Sequence, residues 1–390
     1  MTRVYLDYAA TTMLRPEALE AMRTTWDGSC GNPSSVHREG QRARKLLEEA
    51  RDSVAGSLDC APGEIFFCSG GTEANNWALR ALASSEKRHI LVSSIEHPSV
   101  LQTCKALEQE GYHVSYLPED KYGLVSPDSL AKALSPDTSL LSIMLANNEI
   151  GTIEPVKELA AVAHGHGALF HTDAVQAVGS IPVSIKELGV DALSFSGHKF
   201  GGPTGIGGLF VSPNRVRSFI LGGEQERGHR AGTENLSGIL GMAKALELAV
   251  AETSVNETAV DGSSEPGANA SSTRLEGVRD RLISSITAAI PGAHLCGHPE
   301  KRLPGNAHFI FDGVDGEALL LYLNVEGFAC SSGSACTSES HESSHVLKAI
   351  GLSDKEARSA LRISIGRENT EEEVLSIVPV LQKLVHQLRK

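Results

Sequence analysis

The sequence predicts an α/β protein: a large domain with a mainly parallel, mixed sheet between helices, followed by a smaller α+β domain. Three observations predict it. Apolar runs of strand length alternate with stretches of helical length between residues 90 and 212. Residues 253–273, rich in Ser, Gly, Asn, Ala and acidic residues, then interrupt the pattern. After them come a helix, separated strand-like pieces and a C-terminal helix. At 390 residues the chain is long enough to bury two cores.

Residues 35–58 interleave apolar positions with Arg, Lys and Glu and read as an amphipathic helix. Glu64-Ile-Phe-Phe-Cys68 is a short apolar strand that runs into small residues and then into a helix. Runs of residues 90–94, 140–145, 168–173, 192–196 and 208–212 read as buried strands, apolar on both faces as central strands of a parallel sheet are. Residues 98–110 and 156–166 read as helices between them, a βαβ alternation that covers both faces of the sheet. Residues 235–252 form a further helix. Residues 253–273 have little apolar content and are expected to be a flexible surface insertion near a domain boundary. A helix at 275–289, strands around His308-Phe-Ile-Phe311 and Leu361-Arg-Ile-Ser-Ile365, and a helix from Thr370 complete the chain.

Lys and Arg number 35 against 48 Asp and Glu, a formal net charge of −13. That balance argues against non-specific nucleic-acid binding. Asp7 lies where a signal peptide would need apolar residues, and no apolar run approaches a membrane span. A cytoplasmic enzyme with neither a membrane nor a nucleic-acid partner is expected. The seven cysteines are odd in number and contain no CxxC, so free thiols in a reducing compartment are expected.

Three segments carry chemistry. In Ser69-Gly-Gly-Thr72, glycines let backbone approach an anion, helix-start N–H groups can bind it and Thr72 adds a hydroxyl. The same turn would serve an ordinary strand–helix junction. Asp173, in Phe170-His-Thr-Asp173, stands at a strand's carboxyl end, where ligands bind in open α/β sheets. A carboxylate there can hold a pyridinium N–H, or it can simply cap a helix. Lys199, in Ser196-Gly-His-Lys199, follows an apolar strand and precedes a glycine-rich run, so a solvated surface position is disfavoured. Its amine can form a Schiff base and shuttle protons. The glycine run matches neither GxxxxGK[ST] nor GxGxxG. Together the three point to pyridoxal phosphate (PLP). A formal HExxH match at His341-Glu-Ser-Ser-His345 follows a Ser-rich stretch; the helix is expected to start with Ser343 or Ser344 as N-cap, which argues against a zinc site.

The ordered set Thr72, Asp173 and Lys199 resembles the fold-type I PLP enzymes, and among them the class V aminotransferases. Leu6-Asp-Tyr-Ala-Ala-Thr-Thr12, Ser69-Gly-Gly-Thr-Glu-Ala-Asn-Asn76, Glu96-His-Pro98, Asn147-Asn-Glu-Ile-Gly151, Arg230-Ala-Gly-Thr-Glu-Asn235, residues 331–338 and Arg362-Ile-Ser-Ile-Gly-Arg367 resemble the NifS/IscS-type cysteine desulfurases. The resemblance runs from Leu6 to the C-terminal helix and leaves out only residues 253–273. The domains expected are residues 14–252, large and PLP-binding, and residues 1–13 with 274–390, small and carrying the cysteine loop.

The resemblance implies that Lys199 carries PLP, Asp173 pairs with its pyridinium nitrogen and Gln176 bonds its ring hydroxyl. His97 would stack on the ring and assist proton transfer. Gly71, Thr72, Ser196 and His198 would hold the phosphate. Thr233 would reach the phosphate of a partner subunit, which implies a homodimer. Asn148, preferred to Asn147, and Arg362 would bind the substrate carboxylate. His229 departs from the arginine common before the Arg230 motif. Cys336 would attack the sulfur of L-cysteine, carry it as a persulfide and pass it to an acceptor such as an iron–sulfur scaffold protein. Its neighbours are Ser, Gly, Ala and Thr, whereas the rival Cys330 ends an apolar stretch. Selenocysteine lyase, a class V transaminase and a non-catalytic binding module are the alternative readings.

Overall fold

The structure is a computed structural model and describes residues 3–253, 270–333 and 343–389. Its strands are β1 (Val4–Tyr5), β2 (Ile65–Cys68), β3 (His89–Ser93), β4 (His113–Leu117), β5 (Thr138–Ser142), β6 (Leu169–Asp173), β7 (Ala192–Ser196), β8 (Gly207–Val211), β9 (Ala293–Cys296), β10 (Asn306–Phe311), β11 (Phe328–Ala329) and β12 (Ala360–Ser364). Seven form one sheet in the order β2-β8-β7-β6-β5-β3-β4. The pairs from β7 to β4 are parallel, and β8 is antiparallel to both its neighbours. Only β8 therefore runs against the rest, giving the mixed, mainly parallel sheet that the sequence predicts.

Side chains alternate across this sheet, as a period of two requires. Leu91 enters one core with Leu141 and Phe170, while Ile90 and Val92 enter the opposite one with Leu140 and Trp77. The first core is closed by the helices Arg38–Leu58, Val156–Gly165 and Leu236–Thr253. The second is closed by Gly71–Leu82 and Pro98–Gln109. Because both faces are covered, β3, β5 and β7 are buried at every position, their serines included.

The smaller unit has its own antiparallel sheet, β12-β10-β9, and its own core around Leu282, Phe309, Leu361 and Leu381. β1 pairs in parallel with β11, and Val4 and Leu6 join that core, so the chain's first residues pack with its last part. Ile95, Met144 and Ile150 of the large unit meet Ile310, Val346 and Leu347 of the small one in a separate buried cluster.

Most expected elements recur with ends moved by a few residues, for instance Arg38–Leu58 for 35–58. The expected insertion is narrower than predicted. The helix Leu236–Thr253 includes Thr253, buried and bonded back to Val250, and the next helix already begins at Ala270. Residues 254–269 lie outside the described ones. Ser and Thr belong naturally at helix starts, so a Ser/Thr-rich stretch conceals a first helical turn. The two-residue strands β1 and β11 leave no periodicity to read and escape sequence analysis.

Candidate active site

The strands β2, β3, β5, β6 and β7 run in one direction and deliver their carboxyl ends to one edge of the sheet, the place where open α/β sheets bind ligands. A cavity of about 300 Å³ lies there. It is lined by Gly71, Thr72, His97, Asn148, Asp173, Gln176, Ser196, His198, Lys199 and Arg362, ten residues singled out from the sequence. The fold thus gathers segments from five strand ends and from the small unit.

At one end β2 turns into the helix Gly71–Leu82. The first intrahelical bond runs from Ala74 N to Gly70 O, so the N–H groups of Gly71, Thr72 and Glu73 point beyond the helix. A Cβ on Gly71 would stand 2.6 Å from Val175 Cγ2, and one on Gly70 would stand 3.7 Å from Ser196 Oγ. Only a bare backbone fits this turn, and Ser196 lies against it. Burial and the neighbouring Lys199 push His198 down to about 4, so its ring is neutral. Neutral donors, oriented N–H groups and the helix dipole together make an anion cradle. The helix start is braced by Glu73, which accepts from Ser69 N and pairs with Arg230 at 2.8 Å.

Asp173 is 4% exposed. Val175 N donates to its Oδ1 at 2.9 Å and Asn75 Nδ2 to its Oδ2 at 2.6 Å. Asn75 also donates to Ser99 Oγ, which lies 2.8 Å from His97 Nδ1. Ser99 N donates to that same Nδ1, so the protonated ring nitrogen is Nε2. Burial lowers the His97 pKa, opposed by Asp173 and helped by Lys199. A chain of polar contacts thus fixes the carboxylate and the imidazole relative to each other. Asn75 was quoted in a sequence motif but given no role there.

Lys199 closes the turn Gly197–Lys199 after β7 and donates from Nζ to Ala9 O at 2.6 Å and Ala10 O at 2.9 Å. Gln176 Nε2 donates to Ala9 O as well, at 3.0 Å. Thr12 returns the contact, donating to His198 O from both its N and its Oγ1. Ala9 and Ala10 therefore line the cavity, a wall to which the sequence assigned no function.

Arg362, on β12, is 2% exposed. Its Nη1 donates to Asn148 O (2.8 Å) and Gly333 O (3.0 Å), and its Nη2 pairs with Asp7 Oδ1 (2.9 Å). Its Nε is buried and has no hydrogen-bond partner among the described residues. Asn147 does not line the cavity: its side chain donates to Ile95 O and accepts from Glu149 N and Ile150 N. Glu149 does line it; it stands in the motif Asn147-Asn-Glu-Ile-Gly151, but sequence reading assigned it no role. Burial raises its pKa, against the Ser344 hydrogen bond and the charges of His345 and Arg362. Glu96 is raised well above the ordinary carboxylate range, first by burial; Ser93 Oγ and Met144 N both donate to its Oε1 at 2.6 Å.

Cys336 lies outside the described residues. None of the other six cysteines lines the cavity. Burial pushes Cys60, Cys68, Cys104 and Cys296 up to about 12, and pushes Cys330 up with Asp7 as the next cause. Buried thiols of this kind are poor nucleophiles. His341 and Glu342 are also outside the described residues. Ser344 caps the helix His345–Ala349 by accepting from Leu347 N, and His345 Nε2 is bonded to Glu96 O. Thr233 is exposed and away from the cavity. Nearby, Ala231 N donates to Ile220 O beside Leu221, which is 84% exposed.

Residues 4–377 match the family described as Aminotransferase class-V. A cysteine desulfurase IscS of Methanosarcina thermophila is 46% identical over 390 residues, covering 99% of this chain and 93% of that protein. A cysteine desulfurase IscS of Dictyoglomus turgidum is likewise 46% identical, covering 99% and 95%. Among solved structures, a NifS-like protein has a TM-score of 0.89 at 37% identity, over 99% of this chain and 100% of that one. SspA in complex with cysteine has a TM-score of 0.79 at 34% identity, over 95% and 100%.

Proposed function

This chain belongs to the aminotransferase class-V family and acts as a cysteine desulfurase, and from that premise we propose that its cavity binds PLP on Lys199 and transfers the sulfur of L-cysteine to Cys336. Its fold is the fold-type I architecture of PLP enzymes, as the sequence predicts. The observation that carries the proposal is the convergence of an anion cradle, a fixed carboxylate, a lysine amine and a buried arginine on one cavity.

The residues fit the cofactor. The Gly71–Thr72 turn, Ser196 and neutral His198 would hold its phosphate, since no side chain beyond glycine fits against Val175 there. Asp173 would hold its ring nitrogen, and Gln176 its hydroxyl. When bound, the group supplies an aldehyde for the amino acid and an electron sink beside Cα. Lys199, once displaced, takes and returns the Cα proton at Nζ. The neutral His97, donating from Nε2, is oriented by Ser99 for the same traffic. Arg362, whose Nε has no partner among the described residues, and Asn148 receive the substrate carboxylate.

The Cys336 thiolate then attacks the sulfur of L-cysteine. An S–S bond forms, the substrate Cβ–S bond breaks and Cβ takes up a proton. The products are L-alanine and a persulfide on Cys336; carbon is reduced, sulfur is oxidised and no outside oxidant enters. The persulfide passes to an acceptor such as an iron–sulfur scaffold protein. Thr233 reaches the phosphate of a second subunit, a reading supported by its exposure beside the uncovered Leu221.

The test is purified protein with PLP and L-cysteine. A yellow protein should release alanine, and Cys336→Ala should keep the colour while losing persulfide and alanine. Full alanine production by Cys336→Ala would refute the thiol assignment, and a colourless protein that takes up no PLP would refute the cofactor assignment.

A further inference from the structure

Residues 334–342, which include Cys336, are preceded by Gly333 and followed by Ser343 and Ser344, and Gly333 and Ser344 meet one side chain. Ser344 Oγ donates to Glu149 Oε2 at 2.6 Å. A Cβ on Gly333 would stand 3.0 Å from that same Oε2 and 3.0 Å from His308 Cε1. Gly333, at φ +104° where glycine is favoured, thus lies beside the Glu149 carboxylate with little room for a side chain between them. Gly333 O accepts from Arg362 Nη1, the group that also donates to Asn148 O. Two consecutive residues therefore reach both partners of the reaction: Asn148 through its carbonyl to the substrate-binding arginine, Glu149 through its carboxylate to both flanks.

Glu149 is built to stay in place. Its N donates to Asn147 Oδ1 at 2.8 Å, and its carbonyl accepts from Asn306 Nδ2 at 3.0 Å and from His308 Nδ1 at 2.9 Å. Asn147 is itself held by Ile95 O, beside His97. The residue is 3% exposed. A buried carboxylate is costly to keep, so a hydrocarbon would stabilise this spot equally well if packing were its only purpose.

We propose that Glu149 is a positioning residue for sulfur transfer: by holding Ser344 and seating Gly333 it fixes the base from which Cys336 reaches the substrate sulfur. The inference rests on the desulfurase reading, with Cys336 as the accepting thiol. It assigns Glu149 no contact with the reacting atoms. A displacement of about 1 Å at a reacting centre costs on the order of 100-fold in rate, so loss of the shared anchor should appear in the transfer step and not in binding.

The experiment compares wild type, Glu149→Ala, Glu149→Gln and Ser344→Asp, each reconstituted with PLP. The shift in cofactor absorbance on titration with L-cysteine reads substrate binding, and mass spectrometry of quenched single turnovers reads persulfide on Cys336. Glu149→Ala is expected to slow persulfide formation by roughly 10- to 100-fold with the L-cysteine dissociation constant within about 3-fold of wild type. Glu149→Gln keeps an acceptor for Ser344 and should recover most of the rate. Ser344→Asp retains the helix cap but sets a second carboxylate against Glu149; it should slow transfer even where Glu149→Ala fails to fold. A wild-type transfer rate in Glu149→Ala or Ser344→Asp, or a loss of L-cysteine binding equal to the loss of rate, would overturn the proposal. A wild-type protein that forms no persulfide would instead sink the desulfurase reading itself.

Discussion

Arg362 shows how one side chain serves two demands. Its fork is anchored on Asp7, Asn148 and Gly333, which fixes the guanidinium plane, while Nε is buried with no hydrogen-bond partner among the described residues, a donor the proposed substrate carboxylate would use. An unsatisfied buried donor costs on the order of 1–3 kcal/mol, and a carboxylate that accepts from it recovers that cost. Arg362→Lys keeps the charge but has neither the planar fork nor the Nε–H. Steady-state kinetics should show KM for L-cysteine raised about 10- to 100-fold, as for loss of a hydrogen bond to a charged group, with the PLP absorbance unchanged. An unchanged KM would mean that the substrate carboxylate binds elsewhere. Arg362 was legible in the sequence from the motif Arg362-Ile-Ser-Ile-Gly-Arg367. Its partner Asp7 was not, because a pair separated by most of the chain leaves no local pattern.

β8 is the element that packs against the Gly70–Gly71 turn. It is the one antiparallel strand of the large sheet, and Gly207 and Gly208 let it lie close to β2 and β7. A Cβ on Gly207 would stand 2.7 Å from both Gly70 Cα and Phe195 O, atoms of backbone that cannot swing away. Gly207→Ala must therefore push the Gly70 turn or spread the strands, at a cost of about 1–3 kcal/mol for overpacking. Urea unfolding should show that loss, and PLP should leave the variant faster on dialysis. Wild-type values in both would mean that the turn tolerates displacement. The strand was evident from its apolar run; its reversed direction was not, since parallel and antiparallel central strands are equally apolar.

At the scale of the whole molecule, the site belongs to two packed units. β1 pairs with β11, and the residues that follow it run under Lys199, so the first dozen residues tie the small unit's core to the large unit's cavity. In the function proposed above, a second chain would complete the phosphate site through Thr233. The protein should sediment at twice the mass of one chain, and Thr233→Ala should retain PLP less well. Mixed dimers of Thr233→Ala with Lys199→Ala should recover PLP retention at one site, because that site has its own Lys199 and receives Thr233 from its neighbour. A monomeric protein with full turnover would refute the shared site.

The sequence by itself determined the alternation of elements, the two cores and ten of the residues that line the cavity. Strand-length apolar runs, the glycine turn before a helix, and Asp173 and Lys199 at strand ends are local features; His97, Asn148, Gln176, Ser196, His198 and Arg362 were implied by the resemblance of the motifs. Tertiary structure alone decided the rest. It set Asn75 against Asp173, laid Ala9 and Ala10 under Lys199, paired Asp7 with Arg362 and brought Gly333 and Ser344 onto Glu149. Each of these contacts joins residues distant in the chain, and their geometry depends on strand order and on the docking of the small unit, which no periodicity encodes.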